Sequence, residues 1–127
     1  MEDFDEASNE ITWKTGTIIY KFGDQPDYAF FLKEGEVEII SKNGTTVGFI
    51  NKDEVFGEIS ILLNTNRSVT AKTTKDSIAI KIPRTSLIKQ LNNAPTLIKA
   101  ILRSNLVRLT NLDNTIKKNL FSDDNFN

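Results

Sequence analysis

The chain contains no cysteine and no histidine among its 127 residues. These two absences together exclude disulfide frameworks, thiol nucleophiles, zinc-finger spacings, Ser-His triads and every histidine-ligated metal centre. No apolar run approaches the roughly 20 residues that a membrane-spanning helix needs. Excess positive charge is also missing. Sixteen basic residues against seventeen acidic ones give a net charge of -1, so no overall field is available to hold nucleic acid or an anionic membrane. Any anion must be held locally.

What is present is ordinary for a folded domain. Hydrophobic residues make up 39% and charged residues 26%, which fits neither a disordered chain nor a membrane protein. The length suits one domain around one core. The N-terminus, Met1-Glu2-Asp3-Phe4-Asp5-Glu6, is acidic where a secretory signal is basic and then apolar, which points to a cytoplasmic protein. The lack of cysteine agrees with that compartment. Asn43-Gly44-Thr45 and Asn66-Arg67-Ser68 match the glycosylation sequon, but without export they carry no weight.

Residues 1–11 read as an acidic arm or short helix. From Thr15 the chain changes character: segments 16–21, 28–33, 37–41, 46–50 and 77–82 are short, rich in β-branched and aromatic residues, and bounded by turn residues. Gly23-Asp24-Gln25-Pro26-Asp27 breaks the chain, Glu34-Gly35-Glu36 allows a tight bend, and Asn43-Gly44 suits a hairpin turn with positive φ. Closely spaced strands with short turns predict an antiparallel sandwich or jelly roll over 15–82. After Pro83 the period changes. Residues 86–92 predict a short helix. From Thr96, Leu97, Ile101, Leu102, Leu106, Leu109, Leu112, Ile116 and Leu120 recur at three- and four-residue steps, which predicts a long amphipathic helix. Its stripe is a packing face over the roll, or, at 102, 106, 109, 113, 116 and 120, a homodimer seam that Asp113 would interrupt. The tail 121–127 is polar and frays. The expected fold is mainly β with helices (α+β): a β-roll over 15–82, helices over 84–120, and the whole domain over 12–120.

Segment 55–71 does not read as a simple hairpin, and its ingredients suit a phosphate ester. Gly57 permits close backbone approach, residues 58–63 can form a short helix whose first amides point at an anion, and Arg67 can fork onto two phosphate oxygens. Glu58 would repel a phosphate but accept a hydrogen bond from a sugar hydroxyl. Ile59, Ile61, Leu62 and Leu63 would tie this turn to the core and keep water from it. Taken singly, Glu58 and Arg67 are ordinary surface charges; the pattern is what singles them out.

Phe56-Gly57-Glu58-Ile59-Ser60, with Arg67-Ser68-Val69-Thr70-Ala71 beginning nine residues after Glu58, resembles the phosphate-binding cassette of the cyclic nucleotide-binding domain family. The likeness runs from about Ile11 to Leu120, including the Gly-Asp break and the Phe30-Phe31-Leu32-Lys33-Glu34-Gly35-Glu36-Val37 hairpin. It implies a double-stranded β-helix, or jelly roll, with a short cassette helix and a C-terminal lid helix. It also assigns Glu58 to the ribose 2'-hydroxyl, Arg67 to the cyclic phosphate, and the backbone amides of Gly57, Ser60 and Ser68 to the anion cradle, with Ile59 among the ligand-binding residues. Ile39, Val47, Phe56 and Val69 become apolar walls, and Leu109, Leu112 and Asp113, with Thr110 and Asn111, become lid residues near the base. Glycines common in the family before Phe-Gly-Glu are replaced here by Asn51-Lys52-Asp53-Glu54-Val55, so the preceding turn is built differently.

The function implied is a non-catalytic regulatory module that binds cyclic AMP, with cyclic GMP as the alternative because Ser68 can also bond a guanine amino group. Its ligand closes the C-terminal helix, and a protein partner or effector domain detects the closure. No cofactor or metal is expected. A cupin-like enzyme would hold its metal through histidines, which are missing. A fragment of a catabolite-activator-type transcription regulator is an alternative, but no helix-turn-helix or basic face is visible, so direct nucleic-acid binding is not expected. A decayed domain that binds nothing would not need both Glu58 and Arg67.

Overall fold

The β-branched and aromatic runs form strands, and three further strands complete two sheets. In the computed structural model, described for residues 6–110 with side chains through Arg108, the strands are β1 (Glu10–Trp13), β2 (Ile18–Tyr20), β3 (Tyr28–Glu34), β4 (Val37–Ile40), β5 (Thr46–Ile50), β6 (Val55–Phe56), β7 (Thr70–Thr73) and β8 (Ser77–Pro83). One sheet runs β1-β8-β3-β6 and the other β2-β7-β4-β5, and every pairing is antiparallel. This is the jelly roll that the pattern predicts. β1 begins two residues before the expected domain boundary. Glu10 pairs with Ile80 and Trp13 with Ser77, so the end of the acidic arm belongs to the sheet, anchored by a Trp13 that is almost wholly buried. Ala7–Asn9 form a single 3-10 turn before it.

The core between the sheets is aromatic at one end. Phe30 stacks on Phe56 with ring centres 5.3 Å apart, and Trp13 meets Phe30 edge-on at 5.4 Å, geometries that aromatic quadrupoles favour. Leu32, Val37, Ala71 and Ala79 fill the rest, with Ile19, Tyr20, Ile39 and Ile50 half-buried around them. The β3–β4 turn needs Gly35 because a Cβ there would lie 2.0 Å from Ser77 Oγ, at φ +102.

Among the described residues three α-helices lie outside the sheets: α1 (Glu58–Leu63), α2 (Arg84–Asn92) and α3 (Thr96–Thr110). Ala29 and Ile82 meet Ile61 of α1, together with Leu87 and Ile88 of α2. Leu102 and Leu106 of α3 pack with Ile59, Leu62 and Leu63 of α1 and with Leu87, Ile88 and Leu91 of α2. The stripe is therefore divided: its 102/106 row covers α1 and α2, whereas Leu97, Ile98 and Ile101 are exposed. Residues 111–120, which carry the rest of the stripe, and the tail lie outside the described residues. Among the described residues no helix is long and apolar enough to cross a membrane.

Candidate functional site

The site begins at the turn that feeds α1. Asp53, at φ 71, takes the left-handed conformation that an aspartate tolerates better than most residues. Its N–H donates to the Leu32 carbonyl at 2.8 Å, and Leu32 N–H donates to the Glu54 carbonyl at 2.9 Å. The missing glycines are thus replaced by one strained aspartate tied to β3. Gly57 then caps α1 at φ 78, ψ 5. Glycine is favoured there for two reasons, the left-handed φ and the crowding, since a Cβ would stand 3.0 Å from Arg67 Nη1 and 3.3 Å from Tyr20 Cε2.

Arg67 lies at the centre and is only 4% exposed. Its backbone is fastened to the Gly-Asp break: Arg67 N–H donates to the Asp24 carbonyl and Gly23 N–H to the Arg67 carbonyl, both at 2.8 Å. Nη1 donates to the Gly57 carbonyl and Nη2 to the Tyr28 carbonyl. The guanidinium lies over the Tyr20 ring, 3.9 Å from its centre. Nε is buried and has no partner among the described residues. The arginine is thus held by neutral carbonyls and a ring rather than by a directly bonded carboxylate.

Burial sets the local electrostatics. Desolvation lowers the Arg67 pKa from its ordinary value, against the pull of Tyr20, Glu58, Asp24 and Asp27. Desolvation raises Glu58, opposed by its own backbone N–H and by Arg67. Tyr20 is pushed up to about 12 by burial, with Arg67 pulling it down and Glu58 adding to the rise. A half-buried carboxylate can accept a hydrogen bond from a hydroxyl, while a buried guanidinium with an unused N–H can donate to an anion. Among the described residues no cluster of acidic side chains is placed to hold a metal ion.

The fold brings Gly57, Glu58 and Arg67 together. Ser60 is 8% exposed inside α1. Ser68 is exposed and Val69 half-buried beside it, just ahead of β7. Phe56 and Ile59 adjoin the site in sequence, but their side chains serve packing, Phe56 in the aromatic core and Ile59 in the helix cluster. Ile39 on β4 is half-buried and packs against the core, whereas Val47 on β5 is 59% exposed. The backbone of Leu109 and Thr110 is in α3, and Asn111, Leu112 and Asp113 lie outside the described residues. Sequence reasoning missed Tyr20 and the Tyr28 carbonyl. Simple alternation places Tyr20 on the exposed face with Ile18, but a register shift between Ile18 and Tyr20 turns Tyr20 toward the core. A backbone carbonyl leaves no sequence signal.

Among the described residues, an eight-stranded antiparallel roll buries Arg67 without a directly bonded carboxylate, beside a glycine-capped helix. The chain belongs to the cyclic nucleotide-binding domain family, whose model matches residues 10–94. It is 34% identical to a cGMP-dependent protein kinase of Eimeria tenella over 80 residues, which are 63% of this chain and 8% of that protein. It is 32% identical to a cAMP-dependent protein kinase regulatory subunit of Debaryomyces hansenii over 72 residues, 57% of this chain and 16% of that protein. Among solved structures it resembles cAMP-bound PfPKA-R, with a TM-score of 0.65 and 25% identity across 84% of this chain and 39% of that one. The chain therefore matches only a small part of these relatives. Domains of this family are regulatory and occur in signalling proteins.

Proposed function

We propose that this domain, over residues 12–120, is a cyclic nucleotide sensor that performs no catalysis and prefers cyclic AMP. The observation that carries the reading is Arg67: a buried cation whose hydrogen-bond partners are carbonyls and whose Nε has no partner among the described residues. Arg67 takes the cyclic phosphate and Glu58 the ribose 2'-hydroxyl. Gly57, Ser60 and Ser68 supply backbone amides, with Val69 and Ile39 alongside. Each charge-assisted bond to a buried phosphate contributes about 1.5 to 3 kcal/mol. The signal leaves through α1, because Leu62 of α1 packs in one cluster with Leu106 of α3. A ligand that binds one α3 arrangement better shifts the population toward it. The listener is an effector domain or protein partner in the cytoplasm, not nucleic acid or a membrane.

Cyclic GMP is the second reading, favoured by the hydroxyl of Ser68 directly after Arg67 and by the identity to a cGMP-dependent kinase. Thermal-shift measurements with cyclic AMP, cyclic GMP and linear AMP separate the two. The cyclic nucleotide that binds raises the melting temperature by mass action, and linear AMP raises it much less. Equal shifts from cyclic and linear nucleotides would overturn the assignment of a cyclic phosphate to Arg67.

A further inference from the structure

We infer that Tyr20 is the positioning residue for Arg67: its ring fixes the plane of the guanidinium and thereby keeps the unpartnered Nε–H in place for an anion. Three observations support this. The guanidinium carbon sits 3.9 Å from the ring centre, at the close end of the range in which a cation is attracted to an aromatic face. The ring is itself held from within, by Phe30 stacked at 6.4 Å with an interplanar angle of 20° and by Phe56 at 6.4 Å, so it is part of the aromatic core and not a free surface side chain. Finally, Nη1 and Nη2 are engaged by two carbonyls that belong to different elements, Gly57 before α1 and Tyr28 at the start of β3. Two edge contacts and one face contact leave the guanidinium almost no rotational freedom.

Orientation matters because an arginine is recognised by its anion through a planar fork. Without the ring, the side chain samples other rotamers and must be ordered when the ligand arrives. Ordering one such side chain weakens binding by about three- to tenfold.

The inference rests on the cyclic nucleotide reading, and the test has one arm that does not. In the free protein, the Arg67 Nε–H resonance, assigned by its disappearance in Arg67→Lys, is shielded by the ring current of Tyr20. Tyr20→Phe keeps that shift, and Tyr20→Leu abolishes it. In the ligand arm, calorimetric titration with cyclic AMP gives a loss of about three- to tenfold for Tyr20→Leu and recovery of most of the affinity for Tyr20→Phe. In an Arg67→Lys background, Tyr20→Leu costs nothing further. Tyr20→Met supplies the same comparison if the leucine variant does not fold. An unchanged Arg67 resonance in Tyr20→Leu, or an affinity loss that persists in the Arg67→Lys background, overturns the inference. If the wild-type protein binds no cyclic nucleotide, the functional reading fails, and the resonance comparison alone decides whether Tyr20 positions Arg67.

Discussion

Replacing Gly57 by alanine perturbs the site at its tightest point, and Gly44→Ala supplies a matched control. Both glycines are left-handed, at φ +78 and φ +86, where a Cβ costs about 1–2 kcal/mol. The loss of unfolded-chain entropy is also common to both. They differ in what the new methyl meets. At Gly44 nothing lies within 4 Å, whereas at Gly57 Arg67 Nη1 stands at 3.0 Å, Tyr20 Cε2 at 3.3 Å and Arg67 Nη2 at 3.4 Å. The guanidinium is the flexible end of its side chain and yields, but only by loosening its bonds to the Gly57 and Tyr28 carbonyls. Each such bond is worth about 1 kcal/mol net, so Gly57→Ala is destabilised by about 1–2 kcal/mol more than Gly44→Ala. In a domain of this size that difference lowers the melting temperature by roughly 4–8 °C. Circular dichroism melts measure it, and calorimetric titration with cyclic AMP follows the site: Gly44→Ala binds as wild type does, while Gly57→Ala binds at least tenfold more weakly. Equal melts and equal affinities for the two variants would refute the close packing of Gly57 against Arg67.

Arg67→Lys is expected to lose at least tenfold in cyclic AMP affinity with the fold intact, because a point charge cannot replace a planar fork; an unchanged titration would sink the phosphate assignment. Burial raises the Glu58 pKa, so the folded protein holds that proton more tightly than the unfolded chain. The associated stability is complete below the unfolded value and is lost as pH rises through the folded one. Glu58→Gln therefore melts above wild type at neutral pH, with the gap closing on acidification, while its cyclic AMP affinity falls; a gap independent of pH would rule out the carboxyl as its source. Leu106→Ala removes a buried contact between α3 and α1, a change that costs about 2–5 kcal/mol in a tight core. Its readout is faster hydrogen exchange confined to Thr96–Thr110, and uniform acceleration through the strands would contradict the separate packing of α3.

Much of the roll is legible because its strands announce themselves. Ile78, Ile80 and Ile82 alternate with small or polar residues, and Thr46-Val47-Gly48-Phe49-Ile50 becomes β5 with the boundaries that its composition suggests. The same holds for α1, whose span follows from a glycine and the short apolar run after it. β7 is different. Thr70-Ala71-Lys72-Thr73 has no large apolar residue, and it is a strand because β2 and β4 lie on either side of it, with Ala71 and Thr73 buried as small fillers. β6 is two residues long and exists only by pairing with β3. Periodicity marks every apolar position of α3 alike. It cannot say that α1 and α2 cover Leu102 and Leu106 while leaving Leu97 and Ile101 in solvent, since that depends on where the other two helices sit. In the site, spacing brings out Glu58 and Arg67, but the shift in register that turns Tyr20 under the guanidinium is a property of the β2–β7 pairing.

The electrostatics of the site connect that geometry to its use. Arg67 is depressed and Glu58 raised, each mainly by burial, so the free domain holds two charges where water would hold them better. A domain selected for stability alone would place apolar side chains there. On the proposed reading, a cyclic phosphate would supply the anion that Arg67 lacks, and a ribose hydroxyl would supply a donor whose hydrogen bond an ionised Glu58 can accept. Both losses of solvation would then be offset by the same ligand. Stabilisation on binding would accordingly be concentrated at Gly57, where Arg67 meets the start of α1, and α1 is the element that also packs against α3. In a chain with a net charge of -1, the proposed attraction for an anion would come from one buried cation whose Nε has no partner among the described residues, and the long-range field would contribute little.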